Sequence, residues 1–271
     1  MKKSKIIPAL IAFSIAVLAF NACRKDAETD DTLAFDTGVM ESVSNDVDNM
    51  VGQVAQGGGV SQRLSAPESQ FGFSGCAVVT HDSINHHITL DFGTGCVGLD
   101  GRTRAGKIQI DYSGRYMTQG SYHTCTYDSF YVDNRHIEGS RTITNNGMNT
   151  AGNMNWTIVA TNMKITRPDG LWRNFNSTRN RELIQGFGDS LWTNDVYRIN
   201  GTATGSNSRG HSFSETLTNL IRDNSCHWIT SGTIAIISST GQSKTIDFGN
   251  GNCDDLATVT EGNQTRTITL H

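Results

Sequence analysis

Ile88-Thr-Leu-Asp-Phe-Gly-Thr-Gly-Cys96 is answered near the end of the chain by Thr245-Ile-Asp-Phe-Gly-Asn-Gly-Asn-Cys253. Each copy has a second cysteine upstream, Cys76 or Cys226, with β-branched residues following it. In the first copy Ala77-Val-Val-Thr80 reads as a strand, Asp82-Ser-Ile-Asn85 as a turn, and His87 to Phe92 as the returning strand. Gly93 and Gly95 permit backbone angles that other residues resist, so the chain can fold back there toward Cys96. In the second copy the strand after Cys226 turns near Thr240-Gly241 and returns from Lys244 to Phe248. The cassettes therefore predict antiparallel hairpins, and the duplication favours pairing Cys76 with Cys96 and Cys226 with Cys253, one of the three pairings that four cysteines allow.

The stretch between the cassettes is of the same kind. Ile108, Ile110 and Tyr112 alternate with Lys107, Gln109 and Asp111, the pattern of a half-buried antiparallel strand. Further strands are expected at 122–127, 129–132, 137–144, 156–161, 163–165, 171–178, 196–202 and 211–217. Asn145-Asn-Gly147, Pro168-Asp-Gly170 and Asn207-Ser-Arg-Gly210 carry turn chemistry. A closing hairpin is expected over Ala257–Thr260 and Thr265–Leu270, turning at Glu261-Gly-Asn263. The predicted fold is all-β, an antiparallel meander of about a dozen strands, curled barrel-like or into a sandwich so that its edges are protected. The segments beginning at Ile137 and at Ile199 echo one another, so the meander reads as two related halves.

One helix is expected, over residues 36–56. Val39, Met40, Val43, Val47, Met50, Val51 and Val54 recur at helical spacing, Asp36 can cap the start and Gly57-Gly-Gly59 ends it. This amphipathic helix is expected to cover an open face or edge of the β domain. It lacks the basic face and the Trp or Phe residues of a helix lying on a bilayer.

The first 22 of the 271 residues read as a targeting segment. Met1-Lys-Lys-Ser-Lys5 is a basic start, and Ile6 to Phe20 is an apolar run of about 15 residues, short of the roughly 20 that a spanning helix needs. The run ends in Phe20-Asn-Ala-Cys23, which resembles a bacterial lipobox with Phe where Leu is usual; that resemblance implies cleavage before Cys23 and its acylation. Arg24-Lys-Asp-Ala-Glu-Thr-Asp-Asp31 looks like the surface-export signal of Bacteroidota lipoproteins. The expected order is thus a signal peptide (1–22), an acidic tether (23–35), the helix (36–56), a linker (57–70) and one β domain (71–271).

The pattern from Cys76 through Asp91-Phe-Gly93, Asp100-Gly-Arg-Thr-Arg104, Gly114-Arg-Tyr116 and Glu138-Gly-Ser-Arg-Thr142 continues through Asp195-Val-Tyr197, Gly201-Thr-Ala-Thr-Gly205 and Cys226-His-Trp228 to Asp247-Phe-Gly-Asn-Gly-Asn-Cys-Asp254. It resembles a group of uncharacterised lipoproteins of the Bacteroidota. The resemblance implies an envelope location and a β fold, and carries no chemistry.

Charge is unevenly placed: residues 24–70 hold nine acids and three bases, residues 71–271 hold 17 and 16. The acidity is expected in a solvated tether, and a near-neutral β domain lacks the clustered basic face that nucleic-acid binding requires. His81, His86 and His87 sit on the first hairpin without a third zinc ligand at a suitable spacing. Asp247, Asn250, Asn252, Asp254 and Asp255 are oxygen-rich but miss the EF-hand spacing, so Asp91 and Asp247 are expected to brace the glycine turns instead. Asp-Phe-Gly occurs here without the other protein-kinase motifs, and Gly-x-Ser-x-Gly and His-Glu-x-x-His are absent from the sequence. Cys125 is expected as a buried thiol. No metal, cofactor or catalytic group is assigned. Trp156, Trp172, Trp192 and Trp228, with Tyr116, Tyr122, Tyr127 and Tyr131, are the candidates for a glycan- or lipid-binding face.

The functional expectation is a non-catalytic outer-membrane lipoprotein, anchored through Cys23 on the periplasmic face or the cell surface, with a structural or interaction role. The alternative is a binding module for a glycan, lipid or other apolar ligand. A hydrolase-type enzyme would need a cleft gathering His81, His86 or His123 with Asp91 or Asp247.

Overall fold

The computed structural model describes residues 31–56, 73, 76–189 and 192–270. The signal peptide, Cys23, the tether up to residue 30 and the linker at 57–70 lie outside the described residues.

One helix precedes fourteen strands. The helix is α1 (Asp31–Gln56), and the strands are β1 (Val78–Asp82), β2 (His87–Asp91), β3 (Cys96–Val97), β4 (Thr103–Tyr112), β5 (Tyr122–Val132), β6 (Arg135–Met148) and β7 (Met154–Thr166). They continue with β8 (Trp172–Gln185), β9 (Val196–Asn207), β10 (Ser212–Asp223), β11 (Ile229–Ser238), β12 (Ser243–Asn250), β13 (Leu256–Glu261) and β14 (Gln264–Thr269). All strands belong to one antiparallel sheet whose spatial order follows the chain, with the short β3 paired to β4 off the main path. The expected meander is present. It is neither a closed barrel nor a two-sheet sandwich, because β1 and β14 stay at the ends of a single open sheet.

The inner face of the sheet is apolar along most strands: Ile88 and Leu90 on β2, Ile108 and Ile110 on β4, Trp156 and Ile158 on β7, Ile234 and Ile236 on β11. Strands expected as separate pieces are continuous and interrupted by bulges. β5 runs through 128–129 and β7 through 162, with register shifts at both places. A bulge adds one residue and reverses the alternation beyond it, so buried Ile158 and Ala160 give way to buried Met163 and Ile165. At three bulges a positive-φ residue lies against a positive-φ glycine of the neighbouring strand: Ser129 with Gly106, Asn162 with Gly139, Asn219 with Gly232. A Cβ on Gly106 would come within 1.9 Å of the Ser129 carbonyl oxygen, so only glycine fits there.

Two local expectations are corrected. Asn145-Asn-Gly147 is not a turn but the bulged end of β6, where the Asn145 side chain accepts the Gly147 N–H and donates to the Tyr116 carbonyl. The turn falls at 149–152 instead, closed by Gly152 N–H to Asn149 O. The helix starts at Asp31, not 36, because Thr-Leu-Ala-Phe-Asp contains nothing to break it; Asp36 is an interior residue bonded to Arg167 rather than a cap.

The larger difference concerns how deeply α1 is buried. None of its residues from 34 to 56 is exposed, the polar ones included. The helix covers an open face of the sheet, as expected, but buries its polar residues there as well as its apolar stripe. It runs inside the curl of the sheet, touching β4 through Arg104, β6 through Arg141, β8 through Arg173 and Arg179, and β10 through Glu215. The methyl of Leu270, just past β14, lies close enough that a Cβ on Gly38 would be 2.7 Å from it.

Candidate functional site

Of the acids expected to be solvated, Asp36, Glu41, Asp46 and Asp48 of the described helix are instead paired with arginines of the sheet and its connections. Arg179 grips Glu41 with two parallel bonds of 2.7 and 2.6 Å. Arg141 donates to Asp48 at 2.6 Å and to the Ser44 carbonyl at 2.8 Å. Arg104 is shared between Asp46 of the helix and Asp100 of the β3–β4 connection. Arg173 donates to Thr37 at 2.6 Å and pairs with Glu215, and its guanidinium lies 3.6 Å from the centre of the Phe213 ring. Arg181 donates to the amide oxygen of Asn49 and lies over the Tyr197 ring at 3.6 Å. The sequence reading missed these arginines. Their signal was parity: Arg173, Arg179 and Arg181 share the inward face of β8 with Phe175 and Leu183.

The cassettes do what their residue types imply. Disulfides join Cys76 to Cys96 and Cys226 to Cys253, with Cα separations of 5.4 and 5.6 Å. Asp91 accepts the Gly93 N–H and Asp247 the Gly249 N–H, each at 2.8 Å. The Gly93 N–H, with Lys107 at 3.0 Å, holds the Asp91 carboxyl below its usual range. In the Asn-rich second copy Asp254 likewise accepts the Leu256 N–H. Among the described residues, no group of three or more His, Cys, Asp or Glu is arranged to hold a metal ion.

Two cavities flank the C-terminal half of α1. The first, about 550 Å³, gathers His81, His86, Tyr112, Tyr116 and His123. Tyr112 is the centre of this cluster: the rings of His81, His86 and His123 stack on it at 5.5, 5.2 and 5.7 Å, and its hydroxyl bonds His81 Nε2 at 3.0 Å. Burial pushes His123 down to about 4, so it is neutral at pH 7. His87 points elsewhere and bonds Asp111 and Gln109, which, with Asp111 the larger influence, raises its pKa. Neither Asp91 nor Asp247 lines this cavity, so the histidines and aspartates named for a hydrolase are not brought together. Cys125 is fully buried and its thiol is pushed up to about 12 by burial, as an inert core thiol would be.

The second cavity, about 490 Å³, opens between α1 and the loops behind the first cassette and in front of the second. It is lined by Trp192 and Trp228, by Arg102, Arg104 and Arg222, and by Asp46, Asp100 and His227. Arg102 follows Cys96 by six residues and His227 follows Cys226 directly, so the two flanks meet here, with Arg102 donating to His227 Nε2 at 3.4 Å. Burial, then the nearby Arg102 and Arg222, depress the His227 pKa and keep it a neutral acceptor.

The aromatic residues do not form one face. Trp156 and Tyr116 are core residues stacked at 5.5 Å, Tyr122 and Tyr131 are exposed, and Trp172 borders a small space near Asp36. Trp192 and Trp228 meet at the second cavity. No protein-family model, curated protein or solved structure matches the chain.

Proposed function

We propose that this chain is a lipid-anchored, non-catalytic lipoprotein of the outer membrane, held through Cys23 on the periplasmic face or the cell surface, whose β domain is a binding module for a small ligand. The observation that carries the binding reading is the cavity of about 490 Å³ walled by Trp192 and Trp228, a size within the range of small-molecule sites. The riveted helix supports it, because a cavity wall fixed by buried ion pairs is in place before a ligand arrives. The reading of the anchor rests on the basic start, the apolar run and Ala22-Cys23.

A purely structural or interaction role is the second reading, and it is favoured by the filling of the sheet's concave side by α1. The two are separated by a thermal-shift panel of neutral sugars, acidic sugars and fatty acids on the detergent-extracted mature protein. A rise in Tm that a Trp228→Ala variant loses supports the binding module; a panel with no rise for any compound overturns it in favour of the structural role. Metabolic palmitate labelling tests the anchor: the wild type is expected to take up label and Cys23→Ala is not, and label persisting in that variant overturns lipidation at Cys23.

A further inference from the structure

A guanidinium taken out of water is costly unless it is paired and hydrogen-bonded. Arg104, Arg141, Arg173 and Arg179 each meet a carboxylate, and Arg181 meets an amide oxygen and a tyrosine ring. Arg102 and Arg222, which both line the second cavity, are different. Arg102 is 8 % exposed. Its Nη2 reaches the hydroxyl of Ser42, its Nε and Nη2 make only long 3.4 Å contacts with His227, and its Nη1 is buried with no hydrogen-bond partner among the described residues. Arg222 donates from Nη1 to the backbone carbonyls of Asp223, Cys226 and Trp228, and no carboxylate lies within ion-pair distance among the described residues. Burial, with Arg181 and Arg102 nearby, lowers it to about 10.

The charge count around the cavity points the same way. Its lining holds three arginines against Asp46 and Asp100, and both carboxylates are engaged by Arg104. One positive charge is left over with His227 neutral, which matches a monoanion. A planar carboxylate suits a guanidinium's forked donors, and a dianion would leave the cavity with surplus negative charge. The backbone that carries Arg102 is fixed: Gly98 N–H bonds the Arg102 carbonyl at 2.8 Å, and Asp100 accepts the Arg102 N–H. The loop that Arg222 holds is tied by the Cys226–Cys253 disulfide.

We infer that this cavity binds a small molecule through a single carboxylate, received by Arg102 and Arg222, with the molecule's ring or chain along Trp228. The chemical class is an acidic small molecule such as a uronic acid. The inference rests on the binding-module reading and names the ligand chemistry of that same cavity.

Isothermal titration of the mature protein tests it, with glucuronate, glucose, acetate and inorganic phosphate as probes. Glucuronate is expected to bind, glucose to bind at least about tenfold more weakly, and Arg102→Gln to weaken glucuronate about tenfold or more, the size of a lost charged hydrogen bond. Should Arg102→Gln not fold, Arg102→Lys keeps the charge and loses the fork, and it is expected to bind glucuronate more weakly than the wild type. Equal binding of glucose and glucuronate, unchanged in the Arg102 variant, overturns the inference while the binding-module reading stands. Phosphate binding more tightly than glucuronate and acetate overturns the carboxylate assignment. No binding by any acid overturns the inference, and the broader thermal-shift panel then decides the binding reading separately.

Discussion

Glu41 of the helix and Arg179 of β8 face each other across the interior as a two-pronged pair, with neither side chain more than 1 % exposed. This one contact joins residues 138 apart in sequence and ties the helix to the middle of the sheet. Burial raises the Glu41 pKa while Arg179 opposes it. Removing one partner strands a charge where water cannot reach it. Glu41→Met alone and Arg179→Met alone are therefore each expected to destabilise the protein by about 3–5 kcal/mol, whereas the two together, which remove both charges, should be far less damaging than either single change. Urea unfolding of the two single variants and the double variant measures this, and a double variant as unstable as the sum of the singles would show that the pair is not the rivet.

The disulfides act on the unfolded chain more than on the folded one. The Cys226–Cys253 bond closes a loop with a sequence separation of 27 and Cys76–Cys96 one of 20. Chain entropy gives each about 3–4 kcal/mol, nearly equal because the dependence on loop length is logarithmic. Replacing either pair by serine should lower the urea midpoint by similar amounts. The Cys226 pair should have the added effect of loosening the loop held by Arg222, read as faster hydrogen exchange over Ser225–Trp228 than in the Cys76 pair variant.

Backbone geometry separates two glycines that look alike in sequence. Gly93 has a φ of 60° and open space around its Cβ position, so Gly93→Ala bears only the left-handed penalty of about 1–2 kcal/mol. Gly106 has a φ of 78° and the Ser129 carbonyl in the way, so Gly106→Ala must also push β4 from β5. Thermal melts should rank Gly106→Ala well below Gly93→Ala, and equal melting points would contradict the close approach at that bulge.

How much of this was legible follows from which physics is local. Hairpins, most turns and the strand alternation depend on neighbours in sequence, so Asp82–Asn85, Pro168–Gly170 and Asn207–Gly210 could be read directly, as could the disulfides once the duplication was seen. The bulges were read as breaks, since a reversal of parity at Asn162 looks the same in sequence as the end of a strand. The burial of Glu41 and Asp48 was not legible. An acid on a helix reads as solvated unless its distant arginine is known, and Arg141 and Arg179 lie 93 and 138 residues away. The inward parity of Arg173, Arg179 and Arg181 was the one available sign that the helix had cationic partners. The second cavity was hidden for the same reason: it exists only because the flanks of two cassettes, Arg102 and His227, come together 125 residues apart.

His123 gives the fold a pH dependence whose sign can be worked out. In the unfolded chain its imidazole titrates near the ordinary value of 6.5, and in the fold burial holds it at about 4. Between these values the unfolded state binds a proton that the native state refuses, so stability is fully present above pH 6.5 and is lost as pH falls toward 4. The loss attributable to this residue is roughly 2–3 kcal/mol. Asp195 works against it: burial raises its carboxyl to about 6, so its contribution is present below the ordinary 3.8 and fades as pH climbs from there to 6. His87, His227 and Glu41 are shifted as well, so the net wild-type profile over that interval sums several slopes and the His123 share must be isolated. His123→Gln, which does not titrate, is the variant that does so. Its stability relative to the wild type should improve by roughly 2–3 kcal/mol between pH 7 and pH 4 in urea unfolding. A constant gap between the two proteins across that range would mean that His123 takes up its proton in the fold as readily as in the unfolded chain, and that its stack with Tyr112 and its edge contact with Tyr116 tolerate the charge.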